Sequence, residues 1–171
     1  FCNHVYFILK KSAKVAYGEI TDVYGKLTSL LKGFKSAYLP ISLKVGEYYK
    51  TGFNVELGMV VFYKKSLKAE MHFGKHIVGS LQGKVDFRNG KEANAIQCVK
   101  IVSPKGGFWL ANFHGMSRPG NKLDTTKRIK QSKTIVSVLE KLKGPKILCG
   151  DFNLMPETKS VRIIEREGFK N

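Results

Sequence analysis

The chain has 171 residues, 43% of them hydrophobic and 11% aromatic, which suits one globular domain and argues against a disordered chain or a coiled coil. Its formal charge is +17, from 30 Lys and Arg residues against 13 Asp and Glu residues. Such a field attracts polyanions, whether nucleic acid, phosphorylated molecules or anionic lipid headgroups, although a lysine-rich solvated surface explains the same charge.

No apolar run approaches the roughly 20 residues that would span a bilayer, and the first ten residues do not divide into the regions of a signal peptide. We therefore expect a cytoplasmic monomer without a membrane span. The chain opens on Phe1 rather than Met and stops soon after a helical segment. We expect it to be an excerpt from a longer protein.

The first half of the chain predicts one helix and two clear strands. Apolar residues at spacings of three and four predict an amphipathic helix over 19–32, which should lie on a sheet. Strands are predicted at 34–43 and at 57–65, the second with the nearly continuous apolar run of a strand covered on both faces. Signals over 69–94 are weaker, with a strand candidate at 76–81.

The second half is more sharply patterned. Strands are predicted at 93–102 and 106–113, joined by a turn with Pro and Gly. A helix over 124–143, capped by Asp124 or Thr125, precedes a buried strand at 146–150 and a helix with Pro156 in its first turn. Paired strands between helices predict a layered α/β or α+β sandwich, and no linker divides residues 1–171 into two domains.

A polar pair closes the strand at 146–150. Side chains alternate between the faces of a strand, so Asp151 and Asn153 point the same way while Phe152 points into the core. A carboxylate can orient or deprotonate a water and bind a hard cation, and an amide can donate to a phosphoryl oxygen. The alternative is an Asx turn leading into Pro156, which needs no function.

A second polar pair, Asn112 and His114, closes the strand at 106–113. Histidine there can hydrogen-bond a phosphate oxygen or give a proton to a leaving oxygen near neutral pH, whereas a half-buried histidine satisfied by the protein is the alternative. The strand, helix, strand order can bring both pairs to one edge of a sheet. Their combination favours a phosphate site over either turn or core histidine.

The segment between the two pairs is basic. Residues 117–146 carry nine basic and two acidic side chains, a net charge of +7 that would steer an anionic substrate. Most of these lysines fit the solvated face of a helix. Arg118 and Arg128 are the better candidates for binding phosphate, because a guanidinium can make two bonds at once.

These motifs together resemble the endonuclease/exonuclease/phosphatase family, whose fold is that of deoxyribonuclease I. The resemblance rests on "LGMVVFYKKS", "ANFHG", the helix "TTKRIKQSKTIVSVLEKL" and "GDFN", and it covers roughly residues 57–167 in matching order. It implies a four-layer αββα sandwich, here incomplete at both ends, and hydrolysis of a phosphodiester or phosphomonoester with Mg²⁺ or Mn²⁺. Family substrates range from DNA and RNA to inositol phosphates and sphingomyelin.

The resemblance also implies roles for single residues. Asp151 corresponds to the aspartate that orients the nucleophilic water, Asn153 to its partner on the nucleophile or phosphate, and His114 to the histidine on the scissile phosphate. The family's Gln-Glu pair, which carries the main metal ligand, has only Asn3-His4 as a counterpart. His4 is therefore a candidate metal ligand beside Asp151, although histidine replaces a magnesium-binding carboxylate poorly.

Three functional readings remain open at this point. The terminal Ser-Asp-His of the family has no counterpart before Asn171, so we expect this chain to show little of the parent's phosphoesterase activity. The second reading is an inactive or truncated member that binds nucleic acid through its basic face. The third is a structural domain with lysine-rich surfaces.

Overall fold

The computed structural model describes residues 23–43, 56–86 and 89–170, which form three helices and six strands. None of these helices is long and apolar enough to cross a membrane. In chain order the elements are α1 (Val23–Leu30), β1 (Phe34–Ser42), β2 (Leu57–Lys64), β3 (Lys68–Val78), β4 (Asn94–Ser103), β5 (Gly106–His114), α2 (Thr126–Leu139), β6 (Lys146–Asp151) and α3 (Lys159–Glu165).

The smaller sheet consists of β1 and β2, which pair antiparallel, and α1 covers one of its faces. Val60 is buried there against Val23 and Leu27, and the Tyr24 hydroxyl lies 2.7 Å from the Ser36 hydroxyl. The prediction that an amphipathic helix lies on a sheet is confirmed for this part of α1. Positions 19–22 of the predicted helix lie outside the described residues.

The larger sheet has the order β3-β4-β5-β6, in which β6 runs parallel to β5 and the other neighbours are antiparallel. Phe113 packs with Ile135 of α2 and Ile164 of α3 on its helix-covered face. On the opposite face Val99 packs with Val61 of the smaller sheet. The layers are therefore helix, sheet, sheet and helix, as the resemblance implies.

One predicted strand is shifted. The strand expected at 76–81 is the end of β3, which begins at Lys68. Most of β3 is exposed or half-buried because it pairs only with β4 among the described strands. An edge strand of this kind carries polar residues at many positions, so its apolar periodicity is weak.

The last helix begins later than predicted. Pro156 lies before α3, which starts at Lys159 with Thr158 as its N-cap. Thr125 caps α2, and the Asp124 carboxylate instead accepts hydrogen bonds from the backbone N–H groups of Lys159 at 2.7 Å and Ser160 at 2.9 Å. Asp124 thus joins the start of α2 to the first turn of α3.

We expect Asp124→Ala to lower the free energy of unfolding by about 1 kcal/mol at pH 7, because the N–H groups of Lys159 and Ser160 at the start of α3 lose their acceptor. Partial burial opposes ionisation, yet hydrogen bonds from Ser160 and Lys159 hold the pKa of the Asp124 carboxyl below its ordinary value. A depressed pKa stabilises the fold above pH ~4, where the unfolded carboxyl is also ionised, and this contribution is lost as the pH falls. Urea unfolding of the unmodified protein and of Asp124→Ala at pH 7 and pH 3 gives the difference in their free energies of unfolding at each pH. An equal difference at both values would contradict the assignment.

Candidate active site at the ends of two parallel strands

The two predicted polar pairs lie at one edge of the larger sheet. His114 ends β5 and Asp151 ends β6, and the parallel register places these two residues opposite each other. Parallel neighbours present their carboxyl ends at the same edge. The prediction that both strand ends meet there is confirmed.

Two glycines allow these strand ends to approach closely. A Cβ atom on Gly150, which has φ +136°, would overlap the backbone carbonyl of Phe113. A Cβ atom on Gly115 would overlap the carbonyl of Phe152. The rings of Phe113 and Phe152 meet edge to face with centroids 5.6 Å apart. This ring packing stabilises the close contact between the two backbones.

We expect Gly150→Ala to destabilise the protein by about 1–3 kcal/mol more than Gly144→Ala. Both glycines have positive φ, +136° and +94°, so both substitutions strain the backbone. Nothing lies within 4 Å of a Cβ atom at Gly144, whereas one at Gly150 meets the Phe113 carbonyl. The comparison of the two unfolding free energies isolates the overlap, and equal values would show that the strand ends can separate without cost.

A turn fixes the direction of the Asp151 carboxylate. Its Oδ1 accepts the backbone N–H of Asn153 at 2.9 Å, and its backbone carbonyl accepts the N–H of Gly115 at 2.7 Å. Asn153 has φ +52°, a left-handed conformation that asparagine tolerates better than most residues. The strand therefore ends at Asp151, so the prediction that strand alternation points Asp151 and Asn153 the same way is wrong, and Asp151 makes the Asx turn that was the alternative. The same turn holds the carboxylate at the sheet edge.

The Asn153 carboxamide has a partner at each end. Its Nδ2 donates to the Gly115 carbonyl at 3.0 Å, and its Oδ1 accepts from Lys122 Nζ at 2.5 Å. Lys122 Nζ also donates to the Ser117 carbonyl at 3.0 Å. The sequence predicts Lys122 only as one of nine basic residues, because nothing in its local pattern shows that a lysine in a Pro-Gly-Asn turn reaches the end of β6.

Glu92 anchors the loop 115–123 that follows β5. It is 3% exposed, and its carboxylate accepts from the Ser117 N–H at 2.8 Å, the Ser117 hydroxyl at 2.9 Å and the Arg118 N–H at 3.0 Å. No motif marks Glu92 in the sequence. Its position two residues before the largely buried β4 is the one signal that could have suggested a buried carboxylate.

Arg128 holds the same loop from the other side. The sequence predicts it as a phosphate ligand, but the residue is fully buried. Its guanidinium donates to three backbone carbonyls, those of Leu123 at 2.7 Å, Pro119 at 2.7 Å and Met116 at 3.2 Å. These bonds use Arg128 within the protein, so we assign it to loop positioning rather than to phosphate.

Asn112 is also placed beneath the site rather than in it. The sequence predicts it as a substrate-binding residue, yet its side chain is fully buried between the sheets. Its Nδ2 donates weakly to Gln97 Oε1 at 3.4 Å, and Gln97 in turn donates to the Ala37 carbonyl at 2.8 Å. Burial closes Asn112 to a substrate, and the amide joins β5 to β4 and β1 instead.

His114 is half-buried at the sheet edge, and Arg118 is exposed on the anchored loop. The predicted metal ligand Asp151 lies at the same edge. No set of three His, Cys, Asp or Glu side chains converges within residues 23–43, 56–86 and 89–170. These residues do not form a complete metal site, and His4 lies outside them.

No protein-family model and no curated protein matches this chain. Solved structures do. An endonuclease/exonuclease/phosphatase from Bacteroides vulgatus superposes with a TM-score of 0.60 at 15% identity, covering 84% of this chain and 52% of that one. The human Nocturnin catalytic domain with bound sulfate gives 0.60 at 20% identity, with coverage of 82% and 50%.

A mannosyl-6-phosphatase from Bacteroides thetaiotaomicron gives a TM-score of 0.57 at 14% identity, covering 84% of this chain and 52% of that one. At these identities the likeness shows the fold. The chain therefore has the fold of the endonuclease/exonuclease/phosphatase structures, and it spans about half the length of the structures it matches.

Proposed function

We propose that this chain carries one wall of the active site of a phosphoester hydrolase, formed by His114, Asp151 and Asn153. The observation that carries the proposal is the parallel register of β5 and β6, which puts His114 opposite Asp151 at one sheet edge. A carboxylate and an imidazole end neighbouring strands, and the Asn153 amide follows them beside the loop 115–123. That set of groups suits attack of water on a phosphoryl group.

Each residue has a role in this proposal. The Asp151 carboxylate orients the attacking water and takes up its proton, as its fixed direction in the turn favours. The Nδ2 group of Asn153 has two hydrogens, and the bond to Gly115 uses one, so the second can donate to the nucleophile or to a phosphoryl oxygen. His114 binds a phosphoryl oxygen or gives a proton to the leaving oxygen.

The family resemblance adds a dependence on a divalent metal to the proposal. The metal would be Mg²⁺ or Mn²⁺, bound partly by Asp151. When bound, such an ion supplies positive charge that polarises the phosphoryl group. The substrate class is a phosphodiester or phosphomonoester. The sulfate in Nocturnin and the mannosyl-6-phosphatase among the matched structures support a site for tetrahedral anions on this fold.

A second candidate function is binding of nucleic acid without turnover. Three exposed lysines of α2, Lys127, Lys130 and Lys133, favour it, together with the net charge of +17. Binding of this kind depends steeply on salt, because each neutralised phosphate releases counterions. It does not require the Asp151 carboxylate.

Hydrolysis and binding measured on the same protein separate the two functions. We expect slow turnover of bis(p-nitrophenyl) phosphate or p-nitrophenyl phosphate with Mg²⁺ or Mn²⁺, and none with EDTA. Salt-sensitive binding of DNA or RNA oligonucleotides with no turnover of either phosphate ester would overturn the hydrolase proposal and favour the binding function.

A further inference from the structure

We propose that Lys122 is a positioning residue for the hydrolytic site, which acts by fixing the carboxamide of Asn153 with its second Nδ2 hydrogen available to the substrate. This inference rests on the proposed function and adds to it a residue that the sequence does not single out. It starts from the contact between Lys122 Nζ and Asn153 Oδ1 at 2.5 Å.

The chemistry of the two partners permits one orientation of the amide. An ammonium group only donates hydrogen bonds and a backbone carbonyl only accepts them. With Lys122 Nζ at one end and the Gly115 carbonyl at the other, Asn153 must turn its oxygen to the lysine and its Nδ2 to the carbonyl. A flipped amide would face a donor with a donor and an acceptor with an acceptor.

Lys122 is itself held in place from several sides. It adopts φ +61°, its ammonium donates to the Ser117 carbonyl at 3.0 Å, and its backbone carbonyl accepts the N–H of Met155 at 3.0 Å. Ser117 is in turn fixed by the buried carboxylate of Glu92. The ammonium therefore sits on a braced loop that is bonded to the segment following β6.

Two roles of Lys122, positioning of Asn153 and simple attraction of anions, predict different effects of its removal. If Lys122 acts through Asn153, its removal should matter only while Asn153 is present. If its charge instead attracts the substrate, the loss should persist without Asn153 and should shrink at high salt. The ammonium has a third N–H. Direct donation from this group to a phosphate is therefore the competing mechanism to be tested.

A double-mutant cycle on bis(p-nitrophenyl) phosphate turnover tests the inference, with Lys141→Met as the control for loss of one exposed positive charge elsewhere on the protein. We expect Lys122→Met to lower kcat by about 10-fold or more with a smaller change in KM, and to have no further effect in the Asn153→Ala background. Equal losses in both backgrounds, or a loss confined to KM, would overturn the positioning role.

The side-chain amide resonances of Asn153 give a readout that does not depend on activity. We expect Lys122→Met to shift both Nδ2 proton resonances and Lys141→Met to leave them unchanged. Absence of turnover in the unmodified protein would sink the hydrolase proposal, while unchanged Asn153 resonances in Lys122→Met would sink the inference about Lys122 whatever the activity.

Discussion

Asp151→Asn is expected to reduce metal-dependent turnover by about 10²-fold or more, to the level of the reaction without protein. The substitution keeps the size of the side chain and an oxygen that can accept the Asn153 N–H. In the unmodified protein Oδ1 of Asp151 accepts this hydrogen bond at 2.9 Å. It removes the negative charge and the basic oxygen that would take a proton from water. Chemistry should therefore be lost while the turn at the end of β6 persists.

Glu157→Gln is the matched control, because it removes one carboxylate charge from an exposed position six residues further along the chain. It should leave turnover within about twofold, since surface substitutions away from special features have small effects. Oligonucleotide binding supplies a second comparison. Asp151→Asn should leave binding unchanged or slightly tighter because the protein becomes more positive. Full turnover in Asp151→Asn would remove Asp151 from the mechanism.

The geometry of the two strand ends could be predicted because it follows from short-range rules. Side chains alternate along β5 and β6, which predicts His114 and Asp151 as polar strand ends, and Gly115 and Gly150 stand where the backbones touch. Asn153 is brought to the site by the left-handed turn after β6 and not by this alternation. The intervening helix then returns the chain in the same direction. Parallel pairing of His114 with Asp151 is the result.

The supports of the loop could not be predicted in the same way. Lys127 and Arg128 are adjacent basic residues in the first turn of α2, yet one is exposed and the other fully buried. The difference depends on where the carbonyls of residues 116–123 come to lie, which is a tertiary contact without a local pattern. The contacts of Glu92 and Lys122 could not be predicted for the same reason, since their partners are 25 and 31 positions away along the chain.

Removal of the buried Arg128 guanidinium should also have a large effect. We expect Arg128→Met to lower the free energy of unfolding by about 3–5 kcal/mol. Methionine can fill much of the space, but the carbonyls of Leu123, Pro119 and Met116 lose their donor, and the bond to Met116 is buried. The Glu92 carboxylate nearby also loses a compensating positive charge.

Lys127→Met is the control, because it changes the neighbouring residue of the same helix by the same loss of charge. It should cost less than about 0.5 kcal/mol, as an exposed surface substitution does. Urea unfolding gives both free energies, and protease cleavage within residues 115–123 reports whether the loop loosens before the whole fold. A loss below about 1 kcal/mol in Arg128→Met, with no new cleavage in the loop, would mean that the loop is held without the guanidinium. Arg128 would then have no role in holding the loop.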